Sequence, residues 1–319
     1  MLLGIDIGGT GIQAALVEED LTIVDFSSIA TQADCSSERE ILESIATQIE
    51  ELLDKHSMTI KEIRAIGLGS PGSCDPSRGL VLFAGNLPFK QTPITAFMEE
   101  RFSCPSFLGN DANLAALAED RIGAGRGAVS SLMLTLGTGV GGGVVLNERI
   151  YAGFNGVGCE IGHVILKAGG KACTCGQRGC IEAYCAAPAL VMAAKEKIAE
   201  FPHSILAELS NKEEILGAKI VFDAASEACP VAEELRQNYM RDLSDAVASL
   251  INAYLPEKVI LGGGISQQGE PFRKELEQLT LAKVFPSGDL AYSQIVLAEL
   301  GNKAGMIGAA LYAQDSLKV

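Results

Sequence analysis

The sequence predicts a two-domain α/β protein. Three observations predict it. The chain has 319 residues, more than one hydrophobic core usually serves. Strand-like apolar runs alternate with stretches of helical periodicity. Glycine turns follow strands at three distant places: Gly8 to Gly11, Gly137 to Gly143 and Gly262 to Gly264.

Leu2 to Ile7 is a short apolar run and predicts the first strand. Ile12 to Val17 and Leu21 to Ile29 predict two more, joined by tight turns into an antiparallel meander. Ser37 and Glu40 form a capping-box pair, and Ile41, Leu42, Ile45, Ile49, Leu52 and Leu53 recur at helical spacing, so 37–56 reads as a helix. Ile63 to Leu68 is a buried strand running into Gly69-Ser70-Pro71-Gly72. Ser106 to Leu108 is strand-like, and a helix runs from Ala112 to Ile122, ended by Gly123 and Gly125. Ser131 to Leu136 and Val140 to Leu146 predict a strand pair around Gly137-Thr138-Gly139, a weak internal echo of the start of the chain. Residues 186–254 are mostly helical by pattern, and Pro256 ends the long helix from Val231 to Tyr254. Lys258 to Leu261 and Gln294 to Ala298 predict the last strands, and a helix begins near Lys303.

Composition narrows the function. A formal charge of −15 disfavours a nucleic-acid partner, because the surface repels a phosphate backbone. No apolar run is long enough to span a bilayer, and MLLGIDIGGT lacks a basic leader, so the expected location is the cytoplasm. Nine cysteines in such a setting argue against a disulfide framework. Cys35, Cys74, Cys104, Cys159, Cys185 and Cys229 are scattered and read as small buried apolar residues.

Some residues carry chemistry. Glycine lets the backbone approach a ligand closely, and consecutive amides can cradle phosphate oxygens. A strand-ending glycine is more often a simple bend, but three such turns, two of them with Gly-Thr-Gly, favour a phosphate. Thr10 and Thr138 add hydroxyl donors, and Asp6 could hold a water or Mg²⁺ beside them. There is no G-x-x-x-x-G-K-[ST] motif, and the G-x-G-x-x-G at 137–142 lies between strands, so neither a P-loop nor a dinucleotide fold is expected. Cys173, Cys175 and Cys180 fall within eight residues, and His163 lies ten residues before the first. Three thiolates and one imidazole make a closed tetrahedral shell for structural zinc. Asp111 sits at a strand-to-helix junction, where a carboxylate serves either as helix N-cap or as general base. His56 and His203 receive no role.

Asp6-Ile-Gly-Gly-Thr10 and Leu136-Gly-Thr-Gly-Val-Gly-Gly-Gly143 resemble the phosphate motifs of the hexokinase and actin-like ATPase superfamily. Gly109-Asn-Asp-Ala-Asn113, Glu160-Ile-Gly-His163 and Cys173-Thr-Cys-Gly-Gln-Arg-Gly-Cys180-Ile-Glu182 narrow the resemblance to the ROK family of repressors, open reading frames and sugar kinases. The resemblance covers nearly the whole chain. It implies a two-domain actin-like ATPase (ribonuclease H-like) fold with an interdomain cleft and a structural zinc site. The N-terminal domain is expected over 1–110, with 303–319 packing back on it, and the C-terminal domain over 111–302.

The implied activity is transfer of the γ-phosphoryl group of ATP to the 6-hydroxyl of a hexose. Glucose is the first expectation, and N-acetylmannosamine or another hexose the alternative. The resemblance assigns Asp111 as general base and Asn110, Glu160, His163 and Glu182 to the sugar, with Gly72 and Asn86 beside them. Asp6, Gly8, Gly9, Thr10, Gly11, Gly137, Thr138, Gly139, Gly263 and Gly264 would meet ATP and Mg²⁺. His163 with Cys173, Cys175 and Cys180 would hold Zn²⁺. A homodimer is expected on the same ground. One position departs from the family: Gly11 stands where lysine often follows G-G-T, which removes a cation from the phosphate turn. The rival class is a sugar-sensing regulator or a sugar-binding protein without kinase activity. The family's repressors carry an N-terminal winged helix, and this acidic chain starts on the first phosphate-loop strand.

Overall fold

The computed structural model of the chain describes residues 1–31, 37–285 and 293–318. Two compact units are present. The first comprises Met1–Gly127, Gly143–Cys159 and Glu299–Val319, and the second Ala128–Gly142 and Glu160–Ala298.

In the first unit, β1 (Leu2–Ile7), β2 (Gly11–Val17) and β3 (Ile23–Ala30) form the antiparallel meander that the sequence predicts. Helix α1 (Glu38–Lys55) follows, with Ser37 as N-cap and a complete capping box to Glu40. Strand β4 (Ile66–Ser70) pairs parallel with β1. A small antiparallel sheet of β5 (Ser73–Asp75), β6 (Leu80–Phe83) and β7 (Lys90–Thr92) comes next, then α2 (Ile94–Phe102). Strand β8 (Ser106–Asn110) pairs parallel with β4 and leads directly into α3 (Asp111–Ile122). The main sheet therefore runs β3-β2-β1-β4-β8.

The second five-stranded sheet contains β9 (Ser130–Leu136), β10 (Val140–Leu146) and β11 (Arg149–Ile150). The division between the units runs through β10. A helical region holds α4 (Glu182–Cys185), α5 (Ala187–Glu200), α6 (Ile205–Ser210), α7 (Lys219–Ser226) and α8 (Pro230–Tyr254). Strand β12 (Lys258–Gly262), α9 (Glu270–Leu281) and β13 (Gln294–Leu297) complete the unit, and α10 (Ala304–Ser316) belongs to the first. The order β11-β10-β9-β12-β13 repeats that of the first sheet strand for strand. The echo noted in the sequence is thus a repeated topology, which the side chains only faintly preserve.

Alternation along β1 explains how the first sheet is held. Leu3, Ile5 and Ile7 share a core with Ile41, Ile45, Ile49 and Leu52 of α1. Leu2 on the opposite face packs with Met306 and Ala310 of α10. That second contact is unusually close, because a Cβ at Gly4 or Gly67 would overlap the α10 backbone.

The first unit extends past Asn110 to Gly127. Helix α3 stays with the first unit because it packs on α10, through a cluster with Ala118, Ala304 and Ile307. Glu119, fully buried, adds a polar clamp. It accepts hydrogen bonds from the backbone amides of Ala124, Glu299 and Leu300 at 2.9, 3.1 and 2.7 Å. The terminal helix, expected over 303–319, spans Ala304–Ser316. Cys74, Cys104, Cys185 and Cys229 are buried as expected, Cys159 is half-buried, and Cys35 lies outside the described residues.

Candidate functional site

In the first unit, the strand ends bring the predicted residues together. Asp6 on β1 and Asn110 on β8 flank the C-terminal end of β4, through the pairs Asp6↔Gly69 and Ser70↔Asn110. In open α/β sheets, the carboxyl ends of parallel strands are where ligands bind. The turn after β1 is closed by Gly8 N–H donating to Gly11 O at 2.8 Å, and Thr31 Oγ1 donates to Gly8 O at 2.6 Å. Asn86 lies against this turn: a Cβ at Gly9 would sit 2.6 Å from Asn86 Nδ2. Thr10 is exposed.

The junction of β8 and α3 gives the capping duty to one residue. The N-cap is Asn110, whose Oδ1 accepts from Asn113 N–H at 3.1 Å. Its Nδ2 donates to Gly72 O at 3.1 Å, joining two predicted sugar residues. Asp111 is therefore the first helical residue rather than the cap. Its Oδ1 accepts from the adjacent Ala112 N–H at 2.8 Å. Burial pushes the Asp111 carboxyl up, against the opposing pull of the Ala112 amide and its own amide. Asp6 is raised to about 7, first by burial and then by repulsion from Asp111. Two acids with raised proton affinity at one end of a sheet are a mark of a functional site. Gly305 of α10 lies against the Asp6 carboxylate.

This raised value has a consequence for stability. The folded pKa of Asp6 exceeds the ordinary value of 3.8, so the folded form binds that proton more tightly. Stability is then greatest at low pH and falls as pH rises from about 4 to about 7. Asp6→Asn should melt a few degrees above the parent at pH 8, with the gap closing toward pH 4 in ligand-free thermal scans. A parent that is equally stable at pH 8 would contradict the buried acid.

Asn110 also lines a cavity of about 400 Å³, with Asn113, Pro76, Ser77 and the segment Ala152–Gly156. That is within the ordinary size range of small-molecule sites. Asn113 Oδ1 is buried without a hydrogen-bond partner.

The second unit holds the other predicted residues. Gly137 N–H donates to Gly139 O at 3.0 Å, closing the turn between β9 and β10. Strands β9 and β12 are parallel, through Gly262↔Thr135, so both glycine turns share one end of the sheet. Gly263 has φ of +84°, and a Cβ there would lie 2.5 Å from Leu136 O, which only glycine tolerates. Glu160 and His163 begin and end one 3₁₀ turn, with His163 N–H donating to Glu160 O at 3.0 Å.

Glu182, at the start of α4, ties two features together. Its Oε2 accepts from Val140 N–H at 3.2 Å, beside the second glycine turn. Its Oε1 accepts from Thr174 Oγ1 at 2.8 Å, inside the cysteine loop. Thr174 was not expected to take part, and neither were Thr31 and Gly305. Nothing local in the sequence signals them, since their importance lies in contacts made across the fold.

The ligand atoms of His163, Cys173, Cys175 and Cys180 all lie within 4.8 Å of one another. Cys173 Sγ is 3.7 Å from His163 Nδ1, and Cys175 Sγ is 3.7 Å from Cys180 Sγ. A tetrahedron with Zn–S bonds of about 2.3 Å has S···S edges of roughly 3.8 Å. The donor set therefore fits zinc in both kind and spacing. Burial pushes the Cys180 thiol up to about 12, so a bound cation would have to supply the charge that makes it a thiolate.

The ROK family matches residues 2–316. The glucokinase of Halalkalibacterium halodurans is 38% identical over 96% of this chain and 92% of its own length. The glucokinase of Thermotoga maritima is 37% identical over 97% and 96%. A solved ROK family glucokinase from Streptomyces griseus, in complex with glucose and AMPPNP, superposes with a TM-score of 0.84 at 32% identity, covering 98% of this chain and 99% of that one. A putative xylose repressor from Caldicellulosiruptor also matches, at 29% identity over 97% of this chain and 76% of its own. Among the described residues, no helix is long and apolar enough to cross a membrane.

Proposed function

The chain belongs to the ROK family, and on that premise we propose that it is an ATP-dependent sugar kinase acting on the 6-hydroxyl of a hexose, with glucose as the preferred substrate. The observation that carries this reading is the junction of β8 and α3. Asn110 takes the capping duty, so the Asp111 carboxylate is spared for an incoming hydroxyl. A desolvated carboxylate with raised proton affinity is a competent general base near neutral pH.

In the proposed reaction, Asp111 accepts the proton of the 6-hydroxyl as its oxygen attacks the γ-phosphorus of ATP. The bond from the γ-phosphorus to the bridging oxygen breaks, and ADP leaves. Asn110, braced at both ends of its amide, orients the sugar, with Gly72 and Asn86 nearby in the same unit. Glu160, His163 and Glu182 are proposed as further sugar ligands. The amides of Gly8–Gly11, Gly137–Gly139 and Gly263–Gly264 are proposed to receive phosphate oxygens, and Asp6 to hold a hydrated Mg²⁺. That cation would neutralise charge on the triphosphate. Zinc is structural in this scheme, fixing His163 and the loop that bonds Glu182.

The test is a screen of hexoses and N-acetylhexosamines with an ADP-release readout. Glucose should give the highest kcat/KM. A higher value with N-acetylmannosamine would move the substrate assignment. Stoichiometric sugar binding with no turnover of any sugar would replace the kinase reading with a sensor.

A further inference from the structure

A second cavity, of about 650 Å³, lies in the first unit and is lined by Leu117 and Arg121 of α3, Asn147–Ile150 of the β10–β11 hairpin, and Tyr312, Asp315, Ser316 and Lys318 at the chain's end. None of these residues has a part in the proposed reaction. Among the described residues three cationic and two anionic side chains meet here, so these side chains are net positive in a chain of formal charge −15.

Arg121 is the central group. Its Nη2 donates to Asp315 Oδ2 at 2.6 Å and to Glu148 O at 3.2 Å. Its Nε is buried and lacks a hydrogen-bond partner among the described residues. Glu148 Oε2 is 3.6 Å from it, too far for a hydrogen bond. Glu148 itself is held at φ of +62°, after Asn147 at +50°, in a turn that suits Asn or Gly far better than Glu. Glu148 thus half-fills the place an anion would occupy. Arg149 beside it is exposed and unpaired among the described residues.

We propose that this cavity is a second ligand site, for a sugar phosphate. The phosphate displaces the Glu148 carboxylate from Arg121 and gains Arg149 as its second cation. The polyhydroxylated body meets Asn147, Asp315 and Ser316 and rests on Leu117, Ile150 and the Tyr312 ring. Ile150 and Tyr312 also line the 400 Å³ cavity that holds Asn110. Occupancy of one cavity therefore acts on a wall of the other, and the site is inhibitory. That effect on turnover rests on the kinase reading, because a sugar phosphate is then the product; the binding does not rest on it.

The experiment is calorimetric titration of the full chain with glucose 6-phosphate, in the presence of saturating glucose and a non-hydrolysable ATP analogue. One binding event per chain is expected, weakened at least tenfold by Arg149→Glu and similarly by Ser316→Asp on the opposite wall. Basal turnover of Arg149→Glu should match the parent, and inhibition by glucose 6-phosphate should be non-competitive with glucose in the parent and lost in the variant. No binding event, equal binding by the variants, or inorganic phosphate binding as tightly as glucose 6-phosphate would overturn the proposal. Absence of hexose turnover in the parent would instead remove the kinase reading, and the titration of the ligand-free chain would still decide the site.

Discussion

Asp111→Asn should leave hexose binding nearly unchanged and lower kcat by about 10²- to 10⁴-fold, the range that a positioned general base supplies. The substitution keeps the size and one hydrogen-bond acceptor of the side chain, so Ala112 N–H keeps its partner. It removes only the capacity to take a proton. Helix α3 should be unaffected, because its cap belongs to Asn110. The fold should even gain slightly at pH 8, since the parent pays to desolvate a charge there.

The pH profile sharpens this test. A general base must be ionised, and burial raises the Asp111 pKa. Turnover should therefore rise with pH through that raised value and fall away on the acid side. Burial raises Asp6 to about 7 in the ligand-free chain, and repulsion from Asp111 adds to that rise. Bound Mg²⁺ would return Asp6 to its ionised form and leave Asp111 to shape the acid limb of kcat. In Asp111→Asn that limb should flatten in whatever activity remains. Retention of more than a tenth of the parent's kcat, or an unaltered acid limb, would dismiss Asp111 as the base.

The sequence made some of this legible, and physics says which parts. The capping box of Ser37 and Glu40 is a local signal, and α1 begins where it points. The glycine turns were legible because a backbone that folds back after a strand can use few other residues. The cysteine loop was legible because a metal demands specific donors at short spacing. The cap was not: Asn110 and Asp111 are equally good caps by residue type, and only the reach of Asn110 Oδ1 to Asn113 N–H decides between them. The short strands of β5 to β7 were missed because they are held by one another across turns, with little periodicity of their own. That α3 belongs with the first unit was not legible, because its partner α10 lies nearly two hundred residues later. Such long-range pairings leave little trace in either partner's pattern.

Removing the metal should have the second large effect, and a different signature. Cys175→Ser replaces one of four donors with a poor zinc ligand, while the exposed position spares the core. Purified protein should then carry less than about a tenth of a zinc per chain, against one in the parent. Structural zinc contributes about 10–16 kcal/mol of binding free energy in small sites, much of which appears as folding free energy. The loss here should be local, because the loop is anchored at its base by Ile181 N–H donating to Val164 O at 2.9 Å and by Tyr184 OH accepting from Lys171 N–H at 2.8 Å. What loosens is the tip, where Thr174 bonds Glu182 and Cys173 touches His163. The sugar KM should rise more steeply than kcat falls, the reverse of the Asp111→Asn result. A variant that keeps one zinc per chain, or a metal-free parent with unchanged KM, would show that the four donors do not set the sugar site through zinc.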